Sequence, residues 1–191
     1  MPPPSRCVLG ALLVATSCLA TGCLKGEPYR GEPASRRWLD LGGGGIFRSA
    51  GQNELDDTFT VVGDLGWEFT EGGLRPAVEL GAGWSGHRPE NAPEGTSDVN
   101  VYRASLGGRL TWYPSGTIIS PHVRAGGFLR GSPVNDALPN LDQDGHGWYA
   151  GAGLDFWLSR SESFAPFVTL YEGVGDDLTE VIAGVTFAIR F

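Results

Sequence analysis

The stretch Val181-Ile-Ala-Gly-Val-Thr-Phe-Ala-Ile-Arg-Phe191 decides the fold. One parity carries Val181, Ala183, Val185, Phe187, Ile189 and Phe191. The other carries Ile182, Gly184, Thr186, Ala188 and Arg190. Side chains on a strand alternate between faces, so a period of two means that one face meets an apolar medium and the other does not. A helix would need its apolar residues three and four apart, and here they are two apart. The segment is therefore a strand, and its apolar face includes the terminal aromatic residue.

The same alternation recurs from Arg37 onward, with turn residues between the runs. It predicts strands over 37–48, 57–70, 75–86, 99–113, 118–130, 146–159, 163–172 and 178–191. One parity of each strand is apolar, for example Leu39 and Leu41, Phe59 to Phe69, Val78 to Trp84, and Tyr102 to Trp112. Of about 42 such positions none is charged, where a chain with 19% charged residues would place about eight by chance. On a lipid-facing strand an Arg or Lys costs roughly 2–4 kcal/mol at mid-bilayer. The opposite face holds Asp40, Asp64, Glu68, Glu79 and Asp155 against Arg48, Arg103, Arg109, Arg124, Arg130 and Arg190, with many glycines between them. Buried charges are tolerable only when paired, and five acids nearly balance six arginines. A soluble ligand-binding barrel would put its charges outside and its apolar face within.

Connection lengths agree with a membrane barrel. The segments 49–56, 87–98, 131–145 and 173–177 alternate with shorter turns near 71–74, 114–117 and 160–162. Long loops on one side and short turns on the other are the habit of outer-membrane barrels. Outward aromatics fall at two heights. Phe59, Trp84, Tyr102 and Trp148 mark one, and Trp67, Phe69, Trp112, Phe156, Phe164 and Phe191 the other, as interfacial belts do.

The chain has 191 residues, 30 glycines, 13 prolines and a formal net charge of -8. That charge argues against a nucleic-acid partner, because phosphate binding needs a basic face. The three cysteines, Cys7, Cys18 and Cys23, all lie at the start, so the body has neither a disulfide framework nor a thiol for catalysis. Arg6 followed by the apolar run Val8 to Thr21 has the length of a secretory signal and is too short to span a membrane. It ends Leu19-Ala20-Thr21-Gly22-Cys23, which looks like a lipoprotein processing site with Cys23 as the acylated residue. Ala20 stands where Leu is usual, and Val14-Ala15-Thr16-Ser17-Cys18 is a similar second site. The expected organisation is a signal peptide over 1–22, a flexible tether over 23–36 in which Gly-Glu-Pro occurs twice, and a barrel over 37–191.

Taken together, residues 37–191 resemble the small eight-stranded outer-membrane barrels of the OmpA/OmpX type. The matching features are Glu79-Leu-Gly-Ala-Gly83, Tyr149-Ala-Gly-Ala-Gly-Leu-Asp155, the strand from Pro121 and the terminal Ala-Ile-Arg-Phe191. The resemblance implies an all-β fold, an eight-stranded antiparallel up-and-down transmembrane barrel in the outer membrane, with its amino terminus in the periplasm. It implies that Phe187, Ile189 and Phe191 form the signal read by the barrel assembly machinery. It implies no cofactor and no shared catalytic motif, because that fold carries several functions.

Some barrels of this kind are hydrolases that act on lipid A. That chemistry needs a Ser activated by a His at the lipid-facing rim. Here Ser85-Gly-His87 lies beside a loop containing Glu90 and Glu94, but the order is the reverse of the deacylases' His-x-Ser, and His87 reads as a loop residue. His146 stands beside a loop at the start of its strand, and His122 reads as an inward residue. Asn140-Leu-Asp142-Gln-Asp144-Gly145 imitates half of a calcium loop. It lacks the closing Glu, for which Gly151 stands, and so reads as a polar turn. Thirteen of the 22 acidic residues fall in or beside the four long loops, Glu172 and Glu180 among them. An open pore is excluded, since eight strands leave an interior just wide enough for side chains. The expected function is non-enzymatic: a monomeric envelope protein in contact with outer-membrane lipid and lipopolysaccharide. The alternatives are a lipid-A hydrolase and a lipid-anchored periplasmic barrel for a small ligand.

Overall fold

Alternating strands that are apolar on one side must either stack their apolar faces or curl until the polar faces meet. This chain does the second. The computed structural model describes Pro33, residues 35–48, 58–87, 99–132, 145–174 and 179–191. Its elements are β1 (Arg37–Arg48), β2 (Thr58–Glu68), β3 (Leu74–His87), β4 (Val99–Trp112), β5 (Ile119–Gly131), β6 (Gly145–Trp157), β7 (Glu162–Gly173) and β8 (Thr179–Arg190). Each boundary lies within two residues of the one read from the sequence. Each strand pairs antiparallel with the next, and β1 closes on β8 from Trp38↔Arg190 to Arg48↔Glu180, so the sheet is a closed barrel. Closure removes the unpaired edges that lipid cannot satisfy.

The short turns, 69–73, 113–118 and 158–161, lie at the same end as both described chain ends, and this end is called the turn end below. Gly72 and Gly116 take φ of 104° and 74° there, a region closed to most residues with a side chain. At the turn end the Ser35 hydroxyl donates to the Phe191 carbonyl, and an Arg190 guanidinium nitrogen donates to the Ser35 carbonyl at 3.0 Å. The opposite, loop end carries segments 49–57, 88–98, 133–144 and 175–178. The expected signal peptide, Cys23, nearly all of the expected tether, Asn140 to Asp144 of the half calcium loop, Glu90 and Glu94 all lie outside the described residues.

The exterior is apolar from Leu41 and Leu80 through Leu106, Val123 and Leu129 to Ile189, all of them exposed. The faces are those of a membrane barrel and the reverse of a soluble ligand carrier.

The inward glycines do two different jobs. A Cβ on Gly81 would meet Asp64 Oδ1 at 2.4 Å, and one on Gly107 the Tyr149 hydroxyl at 2.2 Å, so these glycines make room for lumen side chains. A Cβ on Gly44 would instead lie 2.2 Å from the backbone carbonyl oxygen of Ala183 across the β1–β8 closure. Gly44→Ala is therefore expected to lower the temperature at which the folded band is lost on a gel. Gly108→Ala, whose nearest contact is an ordinary 3.5 Å, should leave that temperature unchanged.

Candidate functional site

Because inward positions are set by strand parity, the barrel interior collects Asp40, Asp64, Glu68, Glu79, Asp155 and Glu180 against Arg75, Arg103, Arg109, Arg124, Arg130 and Arg190, six against six. At the turn end Glu68 accepts from Arg75 at 3.1 Å, from Arg190 at 2.9 Å and from the Tyr113 hydroxyl at 2.5 Å. One level up, Arg109 donates to Asp40 at 3.0 Å, to Asp155 at 2.6 Å and to Thr111 at 3.2 Å, with His122 Nδ1 at 3.0 Å. At mid-height Arg124 donates to Asp64 at 2.7 Å and lies 3.8 Å from Glu79, which accepts from Tyr149 at 2.9 Å. Toward the loop end Arg103 donates to Glu180, and Arg130 lies 3.9 Å from it.

Two corrections follow. Glu180, counted above with the long loops, is fully buried in the lumen. Glu172 belongs to β7, where it accepts from Thr179 at 3.0 Å. Arg75, absent from the set read above, is inward and buried. It shares the parity of Glu79, so the alternation itself was signal enough. The Arg48 side chain lies outside the described ones. Phe187, Ile189 and Phe191 all point outward, with Phe191 61% exposed.

Aromatic rings line the lumen as well as the outer belts. Arg190 stands 5.0 Å from the Trp157 ring and 5.3 Å from Trp38, Arg109 5.2 Å from Trp38, and Arg75 4.6 Å from Tyr113. A planar guanidinium stacks and forks hydrogen bonds where an ammonium cannot. This accounts for a barrel without lysine, since the chain's one lysine is Lys25. An interior void bordered by Asp64, Arg103, Arg124 and Tyr171 measures about 10 Å³, room for roughly one water. Among the described residues no cluster of His, Cys, Asp and Glu could hold a metal ion.

The Ser85 hydroxyl and His87 Nε2 are 2.9 Å apart. Both are fully buried, and both face the lumen from β3. His87 is thus the last residue of a strand and not a loop residue, and the pair is turned away from the lipid-facing rim where an acyl chain would arrive. His146 is an exposed residue of β6.

Closed antiparallel strands, apolar without and charge-paired within, define a transmembrane β-barrel. The fold is that of the small outer-membrane barrels. The chain is similar to Neisserial surface protein A, with a TM-score of 0.54 and 13% identity over 84% of this chain and 100% of that one. It is similar to Ail, the attachment invasion locus protein of Yersinia pestis, with a TM-score of 0.55 and 12% identity over 80% and 97%. The outer membrane enzyme PagL shares the fold at a TM-score of 0.50 and 15% identity over 81% and 99%. No protein-family model and no curated protein matches the sequence.

Proposed function

We propose that this protein is a non-enzymatic barrel of the outer membrane that anchors and braces the envelope and displays acidic loops outside. The observation that carries this reading is the interior. Paired charges and stacked rings fill it, which leaves the lipid face and the loops as the surfaces through which the molecule acts. The turn end, with both described chain ends, faces the periplasm. Cys23 precedes Ser35 by twelve residues, a reach of up to about 40 Å, so a lipid on Cys23 enters the leaflet at that end. Phe187, Ile189 and Phe191 are the strand read by the barrel assembly machinery. The barrel works as a monomer, and its loop carboxylates contact lipopolysaccharide phosphates through divalent cations.

The test is gel mobility of the outer-membrane fraction, boiled and unboiled, joined to conductance in a planar bilayer. A faster unboiled band with no channel openings is expected. No mobility shift, together with release from membranes in Cys23→Ser, would mean a tethered soluble domain, and large stepwise openings would mean a porin.

A further inference from the structure

The outward parity of β1 is apolar at Leu39 and Leu41 but begins with Arg37, which is exposed and pairs with Trp67 of β2. Every other arginine whose side chain is described in the eight strands points into the lumen. The Arg37 guanidinium lies over the Trp67 ring, 5.7 Å from its centre, and Trp67 is itself 51% exposed. The neighbouring Arg36 is neutralised by Glu71, but no acid among the described residues pairs with Arg37. On its other side runs Phe191, whose N–H donates to the Arg37 carbonyl at 3.2 Å. The Phe191 carbonyl accepts from the Ser35 hydroxyl.

A cation on a lipid-facing wall is tolerated close to the interface and not at the midplane. The depth of Arg37 is interfacial. Trp67 and Phe69 stand 6.3 Å apart in the turn-end belt, and Phe191 flanks the arginine from β8. An arginine stem lies along such apolar surface while its charged head stays at headgroup level, where the leaflet presents phosphates. Toward the midplane the same sector is apolar on three strands, because Leu39 pairs with both Leu65 and Ile189 and all three are exposed. The rim positions of the other strands are Leu74, Trp112, Ile119, Phe156 and Glu162. One sector therefore carries an unpaired cation, and β7, two strands away, carries an acid that repels phosphate. A zwitterionic headgroup brings an ammonium that competes for its own phosphate. An anionic headgroup does not, so the unpaired guanidinium selects the anionic lipid.

We propose that the β8–β1–β2 sector at the turn end holds one anionic glycerophospholipid. Its phosphate pairs with the Arg37 guanidinium beside Trp67, and its acyl chains lie along Leu39, Leu65 and Ile189. The inference rests on the membrane-embedded reading above and adds a lipid site to it.

The test uses the full chain in vesicles of phosphatidylethanolamine and phosphatidylglycerol. These are doped with one or the other lipid carrying a photoreactive group near the glycerol end of an acyl chain, and cross-links are mapped by mass spectrometry. On Leu39, Leu65 and Ile189 phosphatidylglycerol should label about five-fold better than phosphatidylethanolamine, the preference that one cation at a membrane surface confers. On the opposite wall, at Leu110 and Val123, the two lipids should label alike. Both leaflets hold the same lipids, so the direction of insertion does not enter. Arg37→Gln should abolish the preference and Arg37→Lys should keep most of it. Salt at about 1 M, where the Debye length is about 3 Å, should weaken it. An equal preference on both walls, or none on either, would overturn the site. A preference that survives Arg37→Gln would overturn the role of Arg37. Weak labelling that rises in Cys23→Ser would give the sector to the chain's own acyl groups and overturn the phospholipid. Loss of heat-dependent mobility would overturn the membrane reading as well, whereas normal mobility without a lipid preference would overturn this proposal alone.

Discussion

Arg109→Leu is expected to destabilise the barrel by about 3–5 kcal/mol, the range found when one partner of a buried ion pair is removed. Arg109 donates to Asp40 and Asp155 from opposite parts of the wall, contacts His122 and Thr111, and lies over Trp38. Without it two buried carboxylates share the lumen with no cation between them. The fraction of folded, fast-running band against temperature measures the effect. Arg109→Leu combined with Asp40→Asn and Asp155→Asn should recover most of the loss, because no uncompensated charge is then left, and the three sites touch one another and so do not add. Glu71→Gln, which breaks the exposed pair with Arg36, should change stability by no more than about 1 kcal/mol. If Arg109→Leu and Glu71→Gln behave alike, the lumen is wet and its ion pairs carry little.

The eight strands were legible because period-two alternation is a local property, and a barrel wall repeats it without interruption. The interior was less legible. Trp38 shares the parity of Asp40, and Tyr149 and Trp157 share that of Asp155, so their inward direction was written in the chain. The expectation that rings belong to interfacial belts hid it, since only the closed barrel brings Arg190 between Trp38 and Trp157. Glu180 read as a loop acid because the segment before it is polar, and its place follows from pairing with Arg48 and Tyr171 across two neighbouring strands. Whether a glycine spares a side chain, as Gly81 does, or a backbone, as Gly44 does, depends on curvature and cross-strand register, which no single strand contains.

Leu80→Arg is expected to cost roughly 2–4 kcal/mol, the penalty for a cation on the lipid face at the midplane. Leu80 is 57% exposed, sits midway along β3 and pairs with Leu65 and Leu106, so its surroundings are apolar on both sides. By solvent exposure alone it is a surface residue. In water a surface substitution away from any special feature changes stability by about 0.5 kcal/mol or less, and an exposed Leu→Arg would improve solubility. The two media therefore predict opposite signs for the practical outcome. Phe59→Arg, at the loop end of the same exterior, supplies the depth control and should cost only about 0–1 kcal/mol. Reversible urea unfolding in vesicles separates the cases. A large loss at Leu80 with a small one at Phe59 is the gradient of a bilayer. Small and equal effects at both positions would mean that the apolar exterior meets something other than lipid, and that a partner protein covers it.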